Sequence, residues 1–197
     1  MPVNVRPRLW VTPNQLTILR IIIGLVCPVL LIARRSVGIE LIVFFAFTIA
    51  CITDWWDGHL ARKNSLETGF GKIADPIADK LLVVGMMSVF SIFHLYGPEW
   101  VIVIAIREVA VTVTRLDLLR RAVVLPAEWA GKLKVGFQIG SIYVTLLYIL
   151  AFDSGIFFYE EPLFLFFLQA LHYLGILLAI FFTVTSGIIF FDRLERS

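Results

Sequence analysis

The sequence predicts an all-α, polytopic membrane protein: six transmembrane helices forming one domain over residues 1–197. Of the 197 residues, 59% are hydrophobic, whereas soluble domains contain roughly 45–50% apolar residues. The mean hydropathy is +0.91, and several apolar stretches approach the ~20 residues that a helix needs to cross a bilayer. The net charge is only +2, so no strong positive field favours nucleic acid as a partner.

The helices follow from the apolar stretches and the signals between them. Residues 1–13, with Trp10 among arginines and prolines, are predicted to be a short interfacial segment. Thr12 and Pro13 suit the N-cap and the first position of a helix. The predicted spans are 16–33, 39–60, 72–94, 100–121, 131–152 and 162–191.

The distribution of lysine and arginine predicts the orientation. The N-terminus, residues 60–72, residues 120–134 and the C-terminus are basic, whereas residues 94–99 and 153–161 contain no lysine or arginine. Because cytoplasmic loops carry the excess of basic residues, both termini are predicted to be cytoplasmic. Arg34 and Arg35 are two exceptions, since they fall on the outer side.

The cysteines and histidines are not expected to carry chemistry. Cys27 and Cys51 lie in apolar segments and are predicted to be small buried hydrophobes rather than a disulfide or a metal site. His94 and His172 are predicted to be interfacial, and His59 to point away from the acidic residues described next. No A-x-A-like site follows the first apolar run, so no cleavable signal peptide is predicted.

Two pairs of aspartates stand out between the second and third predicted spans. Asp54 and Asp57 are three residues apart, and Asp75 and Asp79 are four apart, so each pair shares a helix face. An antiparallel hairpin with its turn in residues 63–70 would bring both pairs to one end of the bundle. Carboxylates next to a bilayer are costly and indicate a functional site, and several together suit a hard divalent cation.

Two alternatives to a metal site are open for these aspartates. Ion pairs with Arg62, Lys72 and Lys80 would satisfy them without a metal. Intramembrane carboxylates also mark ion pathways, so an ion or metal transporter is a rival function of another class. Transporters place such groups near the bilayer midplane, whereas these aspartates lie at one end of two helices. A purely structural membrane protein would have no use for them.

The full pattern is Asp54-x2-Asp57-Gly58-x2-Ala61-Arg62-x8-Gly71-x3-Asp75-x3-Asp79. It resembles the complete signature of the CDP-alcohol phosphotransferase family. The resemblance implies that a CDP-linked lipid or alcohol donates its phosphoryl-alcohol part to an acceptor hydroxyl, and that CMP leaves. It also implies Mg²⁺ or Mn²⁺, two ions per site, held by Asp54, Asp57, Asp75 and Asp79.

The resemblance further assigns roles around the metals. Asp79 is the expected catalytic base, although the sequence alone does not separate a base from a metal ligand. The expected CDP-binding residues are Gly58, Ala61, Arg62, Gly71 and Thr17. Small residues at such positions also serve plain helix packing in membranes. Arg20, one turn after Thr17, either reaches the membrane surface or faces the site.

A second constellation is cationic. It reads Arg107-Glu108-x6-Arg115, followed by Gly131-Lys132-x-Lys134-x3-Gln138. An arginine as deep in a span as Arg107 must face a wet cavity or a carboxylate, and arginine and lysine are the usual phosphate ligands. A pocket for an acceptor that carries its own phosphate is predicted from Arg107, Arg115, Lys132 and Lys134. The alternative is a structural ion pair of Arg107 with Glu108 beside an ordinary basic interface at Lys132 and Lys134. Glu108 and Arg115 are seven residues apart and share a helix face, on which they could also pair.

These residues, with the opening Pro13-Asn14-Gln15-Leu16-Thr17-x2-Arg20, resemble the branch of the family that makes phosphatidylglycerol phosphate. The resemblance implies CDP-diacylglycerol as donor and sn-glycerol 3-phosphate as acceptor, with inositol phosphate as the nearest alternative. Many members of that branch carry threonine where this chain has Val135, which bears on the acceptor. The resemblance also implies a homodimer in a bacterial-type cytoplasmic membrane, with the active site on the cytoplasmic side.

Overall fold

The computed structural model describes residues 13–64, 69–121, 129–155 and 162–196, which fold into six α-helices without a strand. The predicted all-α class and the order of the six helices are confirmed. Residues 1–12 of the predicted interfacial segment lie outside the described residues, and its last residue, Pro13, begins the first helix. The helices are α1 Pro13–Ala33, α2 Val37–Asn64, α3 Gly69–Ile92, α4 Pro98–Arg120, α5 Trp129–Ser154 and α6 Pro162–Arg196.

Within the described residues, four helices are long and apolar enough to cross a bilayer. They contain the segments Asn14–Ala33, Val37–Asp54, Trp129–Ser154 and Leu163–Arg196. Large apolar side chains on these helices face outward, as Val29 and Phe166 do with 62% and 68% of their surface exposed. Such outward apolar faces are typical of contact with lipid rather than water. The chain is therefore an integral membrane protein.

Helices α1 and α3 run parallel and in close contact. A Cβ atom added at Gly24 would lie 3.1 Å from the backbone nitrogen of Leu82, and one added at Gly85 would lie 3.1 Å from the carbonyl oxygen of Gly24. The absence of side chains at both glycines lets the two backbones approach, as small residues commonly do in membranes. This contact fixes which residues of α3 the first turns of α1 can reach.

The remaining helices complete the bundle. Helix α5 packs against α6 and α2, and the Tyr143 hydroxyl of α5 donates to the Thr48 hydroxyl of α2 at 3.1 Å. Helix α4 packs against α3 and α6. The predicted hairpin of α2 and α3 differs in one respect: their direct packing is slight over the described residues, and α1 packs against both.

At the end of the bundle remote from the aspartates, here called the far end, Arg35 is neutralised. Its guanidinium donates two hydrogen bonds to Asp153, at 2.6 and 2.9 Å. Its Nε also lies 3.5 Å from Glu40, and its Cζ lies 5.3 Å from the centroid of the Phe93 ring. These contacts explain how the bundle accommodates one of the two exceptions to the basic-residue pattern.

A polar network at the far end joins the α3–α4 connection to α5 and α6. His172 contacts the Thr145 hydroxyl at 2.9 Å and the Leu95 carbonyl oxygen at 3.1 Å, and its ring stacks on Tyr96. Only 1% of the His172 surface is exposed, so its ring lies inside the bundle. Its predicted interfacial position in the membrane stays a prediction. Burial raises the pKa of Tyr96 to about 12, so its hydroxyl stays protonated.

Candidate functional site

The polar face of α1 gathers the aspartates at the other end of the bundle, here called the site end. Nη1 of Arg20 lies 2.8 Å from Oδ1 of Asp79 and 3.0 Å from Oδ1 of Asp54. The Thr17 hydroxyl donates a hydrogen bond to Asp75. The predicted convergence of the two aspartate pairs at one end is thus confirmed for three of the four residues. The helix that connects them is α1.

The parallel contact of α1 and α3 accounts for these pairings. Thr17 and Arg20 are one turn apart and face Asp75 and Asp79, which are also one turn apart. Arg20 is almost fully buried, with 1% of its surface exposed. A buried guanidinium needs carboxylate partners, and the aspartates of α2 and α3 supply them. Of the two predicted placements of Arg20, the structure therefore shows the one that faces the site.

Part of the predicted site falls outside the described side chains. Helix α2 carries Asp57, Gly58, Ala61 and Arg62 in its last turns, and α3 carries Gly71 in its first turn. The side chains of residues 55–73, His59 among them, are not described. The roles predicted for these residues stay predictions.

The donor atoms of the acidic cluster bear on whether it can hold a metal. No group of three carboxylate, imidazole or thiolate side chains close enough to hold an ion occurs among the described residues, a set that leaves out Asp57. The donors present are carboxylate oxygens, and those of Asp54 and Asp79 converge on a single nitrogen of Arg20. Carboxylate oxygens are the ligands that a hard divalent cation takes, so these residues fit a metal by donor type. A cation bound by Asp54 and Asp79 would share their oxygens with Arg20.

The cationic constellation is centred on Glu108, which is 5% exposed. Its Oε1 lies 2.6 Å from Nζ of Lys134 and 3.4 Å from Nη1 of Arg107. Its Oε2 lies 3.9 Å from Nζ of Lys80. Three cations supplied by α3, α4 and α5 therefore meet at one buried carboxylate.

The surroundings of this cluster are polar as well. Nε2 of Gln138 lies 3.4 Å from Glu108 Oε1 and donates to the Thr183 hydroxyl at 3.1 Å. Nη2 of Arg107 donates to the Ser186 hydroxyl at 2.8 Å. Side chains from α5 and α6 thus hold the cluster from the side opposite α3.

Of the four residues predicted to bind the acceptor phosphate, Lys134 lines the cavity at the site end, and Arg107 lies beside it in contact with Glu108. The other two lie elsewhere. Arg115 places its Cζ 5.4 Å from the centroid of the Phe190 ring, and the side chain of Lys132 is exposed. Neither lines the cavity at the site end. Glu108 is contacted by Arg107, as one of the alternatives predicted, whereas the contact with Lys134 replaces the proposed pairing with Arg115.

One cavity of about 130 Å³ connects the acidic and cationic clusters. Its polar lining comes from both, and apolar residues of α2, α3 and α5 complete it. The lining residues are Arg20, Ala50, Cys51, Asp54, Asp79, Lys80, Leu82, Val83, Glu108, Lys134, Val135, Gln138 and Ile139. Both cysteines are free thiols, as predicted.

The sequence left Lys80 and Glu108 outside the predicted site, and the structure includes both. Lys80 directly follows Asp79, so the two side chains point about 100° apart around α3. Both nevertheless line the same cavity, because α3 packs against α1 on one side and α4 and α5 on the other. The signal that could have found Lys80 is its adjacency to an aspartate of the signature.

The fold and the site together define a class: a helical integral membrane protein with an acidic cluster and a cationic cluster in one cavity at one end of the bundle. The profile of the family described as CDP-alcohol phosphatidyltransferase matches residues 10–185. The chain belongs to this family.

Relatives with assigned names are similar over most of the chain. A Bacillus subtilis (strain 168) protein named CDP-diacylglycerol–glycerol-3-phosphate 3-phosphatidyltransferase is 36% identical over 193 residues, covering 92% of this chain and 93% of that protein. A Mycobacterium tuberculosis (strain H37Rv) protein named probable phosphatidylglycerophosphate synthase is 39% identical over 148 residues, covering 72% and 68%. A Mycoplasma genitalium protein with the Bacillus protein's name is 31% identical over 169 residues, covering 74% and 72%.

Proposed function

We propose that this chain transfers the phosphatidyl group of CDP-diacylglycerol to sn-glycerol 3-phosphate, giving phosphatidylglycerol phosphate and CMP. The names of the relatives support this reaction. The observation that carries it is the single cavity that joins aspartates to a cluster of cations. A reaction between a diphosphate donor and a phosphorylated acceptor needs both kinds of group within reach of one another.

The acidic end of the cavity is proposed to hold the donor. Asp54, Asp57, Asp75 and Asp79 would bind two Mg²⁺ or Mn²⁺ ions, whose chemistry there is to neutralise the diphosphate and the departing CMP. Thr17 holds Asp75 in place through its hydrogen bond. Arg62 would bind the diphosphate, and Gly58, Ala61 and Gly71 would leave room for cytidine.

The cationic end is proposed to hold the phosphate of the acceptor. Lys80, Arg107 and Lys134 converge there, and cations of this kind are the usual ligands of a phosphate monoester. Lys80 joins this set because it lines the cavity, as Lys134 does. Arg107 does not line the cavity but stays in the set because it contacts Glu108, whereas Arg115 and Lys132 do neither among the described residues. Asp79 lies in the same cavity and would accept the proton of the attacking hydroxyl.

The proposed arrangement in the membrane has six spans, with the site end and both termini in the cytoplasm. Helices α3 and α4 interrupt their apolar sequence with the charged residues of the site. Helix α4 nevertheless presents an outward apolar stripe of Ile102, Ile106, Val109 and Val113, each 55–65% exposed. At 1.5 Å per residue, its 23 residues are long enough for a hydrocarbon core of about 30 Å. The homodimer stays a prediction.

The test is an acceptor panel with purified protein in detergent, CDP-diacylglycerol and Mg²⁺. Radiolabelled glycerol 3-phosphate should give phosphatidylglycerol phosphate and CMP in equal amounts, and serine or free inositol should give no lipid product. Turnover of inositol phosphate in preference to glycerol 3-phosphate would replace the acceptor but keep the reaction. Equal turnover of an uncharged alcohol would contradict the proposal of a phosphate-binding cavity.

A further inference from the structure

The cationic cluster already contains an anion of its own. Lys80, Arg107 and Lys134 all approach the carboxylate of Glu108, at 3.9, 3.4 and 2.6 Å. Glu108 is buried, and the side chains of Arg107 and Lys134 are only 12% and 8% exposed. Water therefore screens these charges poorly, and any anion that enters must share its cations with Glu108.

The charges of this cluster can be counted over its four members, Glu108 and the three cations that approach it. Outside it, Asp79 and Arg115 also act on Lys80, and their opposite charges offset one another. Three cations and one carboxylate leave the cluster with a net charge of +2. A phosphate monoester carries about −1.5 to −2 at neutral pH, so the cluster matches this anion in the presence of Glu108. Without the carboxylate the cluster would hold an excess positive charge beside the bound phosphate.

The proposed reaction explains why the pocket should bind phosphate with only moderate affinity. The acceptor's phosphate is not altered by transfer, because the bond forms at a hydroxyl, and the product carries the same phosphate in the same pocket. The phosphate is therefore bound alike in substrate, transition state and product, and such uniform binding does not lower the chemical barrier. Excessive affinity would instead hold the product back, and release limits many enzymes.

We propose that Glu108 is a positioning residue of the acceptor pocket. Its carboxylate holds Lys80, Arg107 and Lys134 together and lowers their affinity for phosphate, so that acceptor and product can exchange. This inference rests on the proposed function, since it assumes that the acceptor carries a phosphate. It also explains why the neutral side chain of Gln138 lies beside Glu108, since a second carboxylate at that position would weaken phosphate binding.

The test measures binding of inorganic phosphate to the full-length protein in detergent, as competition against glycerol 3-phosphate and as direct equilibrium binding. Glu108→Gln keeps the shape of the side chain and removes its charge, so phosphate should bind roughly tenfold more tightly. This gain in affinity is only a small part of the Coulomb energy of two charges a few ångströms apart. The KM for glycerol 3-phosphate and kcat should both fall, because the acceptor binds better and the product leaves more slowly. A residue that only supports the fold would instead raise KM or lower the melting temperature.

Two further variants test whether a carboxylate in the pocket, and not the overall charge of the protein, lowers phosphate affinity. Gln138→Glu adds a carboxylate and should weaken phosphate binding roughly tenfold, which keeps the proposal testable if Glu108→Gln does not fold. Asp117→Asn removes an exposed carboxylate of the same helix, nine residues or about 13 Å further along. It should change phosphate binding less than about twofold, since exposed charges are screened.

The outcomes separate the inference from the function on which it rests. Wild-type protein that binds no phosphate in competition with the acceptor would contradict the phosphorylated-acceptor pocket itself. Wild-type protein that binds phosphate, with affinity unchanged or lower in Glu108→Gln, would overturn the role of Glu108 alone. An effect of Asp117→Asn as large as that of Glu108→Gln would do the same, because the cause would then be overall charge.

Discussion

At the scale of single residues, Arg20 connects three helices through one nitrogen. Its Nη1 contacts Asp79 of α3 and Asp54 of α2, although Arg20 itself belongs to α1. Its Nε is buried and has no hydrogen-bond partner among the described residues, and Nη1 makes the two carboxylate contacts that hold the guanidinium. Arg20 is thus the residue that most directly ties the acidic cluster to the fold.

Replacement of Arg20 by methionine should lower the free energy of unfolding by about 2 kcal/mol, because two carboxylates lose a charged hydrogen-bond donor. Loss of a partner from a fully buried pair costs about 3–5 kcal/mol, and the lower value reflects the half-exposed aspartates. Chemical unfolding in detergent measures the change.

The matched control is Arg121→Met. Arg121 also binds an aspartate, Asp117, at 2.8 Å, but both side chains are exposed. The expected loss is about 0.5 kcal/mol or less. Equal losses in the two variants would mean that Arg20 is no more than another surface ion pair.

The aspartates carry a prediction about metal. Asp54→Asn should abolish turnover and leave a folded protein, because it removes a ligand oxygen charge from the proposed cation site. EDTA should inhibit the unmodified protein, and added Mg²⁺ or Mn²⁺ should restore the rate. Full activity in EDTA would contradict the metal-dependent mechanism, whatever the acceptor.

At the scale of helices, the contact of α1 with α3 positions the site. Gly24 and Gly85 allow the backbones to approach, and the same register places Thr17 and Arg20 beside Asp75 and Asp79. A shift of α1 by even one side-chain diameter would separate these pairs. The site therefore depends on a packing contact that lies between one and two turns away from it.

Gly24→Ala should disturb this contact. Its new Cβ would lie 3.1 Å from the backbone nitrogen of Leu82 and 3.2 Å from its Cα, and backbone atoms cannot give way as a flexible side chain can. Overpacking of this kind typically costs about 1–3 kcal/mol, and transferase activity should fall as well. Melting temperature and rate are both measured in detergent.

Gly140→Ala is the matched control, because nothing lies within 4 Å of its added Cβ. Both substitutions gain the same helix propensity of up to about 1 kcal/mol, so the difference between them isolates the contact. If both variants were equally stable and active, the close approach of α1 and α3 would not position the site.

The sequence predicted the helices far better than their partners. Apolar length and turn signals are local, and they located all six helices. The pairing of α1 with α3 depends on how Gly24 meets Leu82, two positions 58 residues apart, and no local pattern encodes that contact. Order along the chain favoured direct packing of the consecutive helices α2 and α3 instead.

The candidate site was predicted in the same uneven way. The aspartates were found because their spacing is a property of one stretch of chain. Lys80 and Glu108 were left out because their meeting, at 3.9 Å, depends on α3 packing against α4. Lys132 was included because it neighbours Lys134 in sequence, although the two side chains differ in exposure.

At the scale of the whole molecule, the two ends of the bundle differ in chemistry. The site end gathers the acidic and cationic clusters around one cavity. The far end carries the ion pair of Arg35 with Asp153 and the buried network around His172. This difference distinguishes the two ends but not the side of the membrane on which each lies. The cytoplasmic placement of the site end stays a prediction from the distribution of lysine and arginine.

The orientation can be tested with single cysteines in a chain whose Cys27 and Cys51 are replaced by alanine. Gly38→Cys lies at the far end, at an exposed position with open space around it. Glu195→Cys lies at the site end of α6. A charged thiol reagent added to intact cells should label position 38 and leave position 195 unlabelled until the membrane is broken. The reverse pattern would invert the topology.

We propose that one cavity holds the donor at its aspartates and the acceptor's phosphate at Lys80 and Lys134, with Arg107 beside them on Glu108. The most direct measurement is the steady-state kinetics of Lys134→Met beside Lys132→Met, with both substrates varied. Loss of a buried ion-pairing group costs about 2–5 kcal/mol, so Lys134→Met should lower kcat/KM for glycerol 3-phosphate roughly 30-fold or more.

Lys132 is an exposed lysine two residues away, and Lys132→Met should change kcat/KM for glycerol 3-phosphate less than about threefold. The KM for CDP-diacylglycerol should change little in either variant. Loss of donor affinity in Lys134→Met with the acceptor constant intact would contradict the account, because the cationic cluster would then belong to the CDP-lipid.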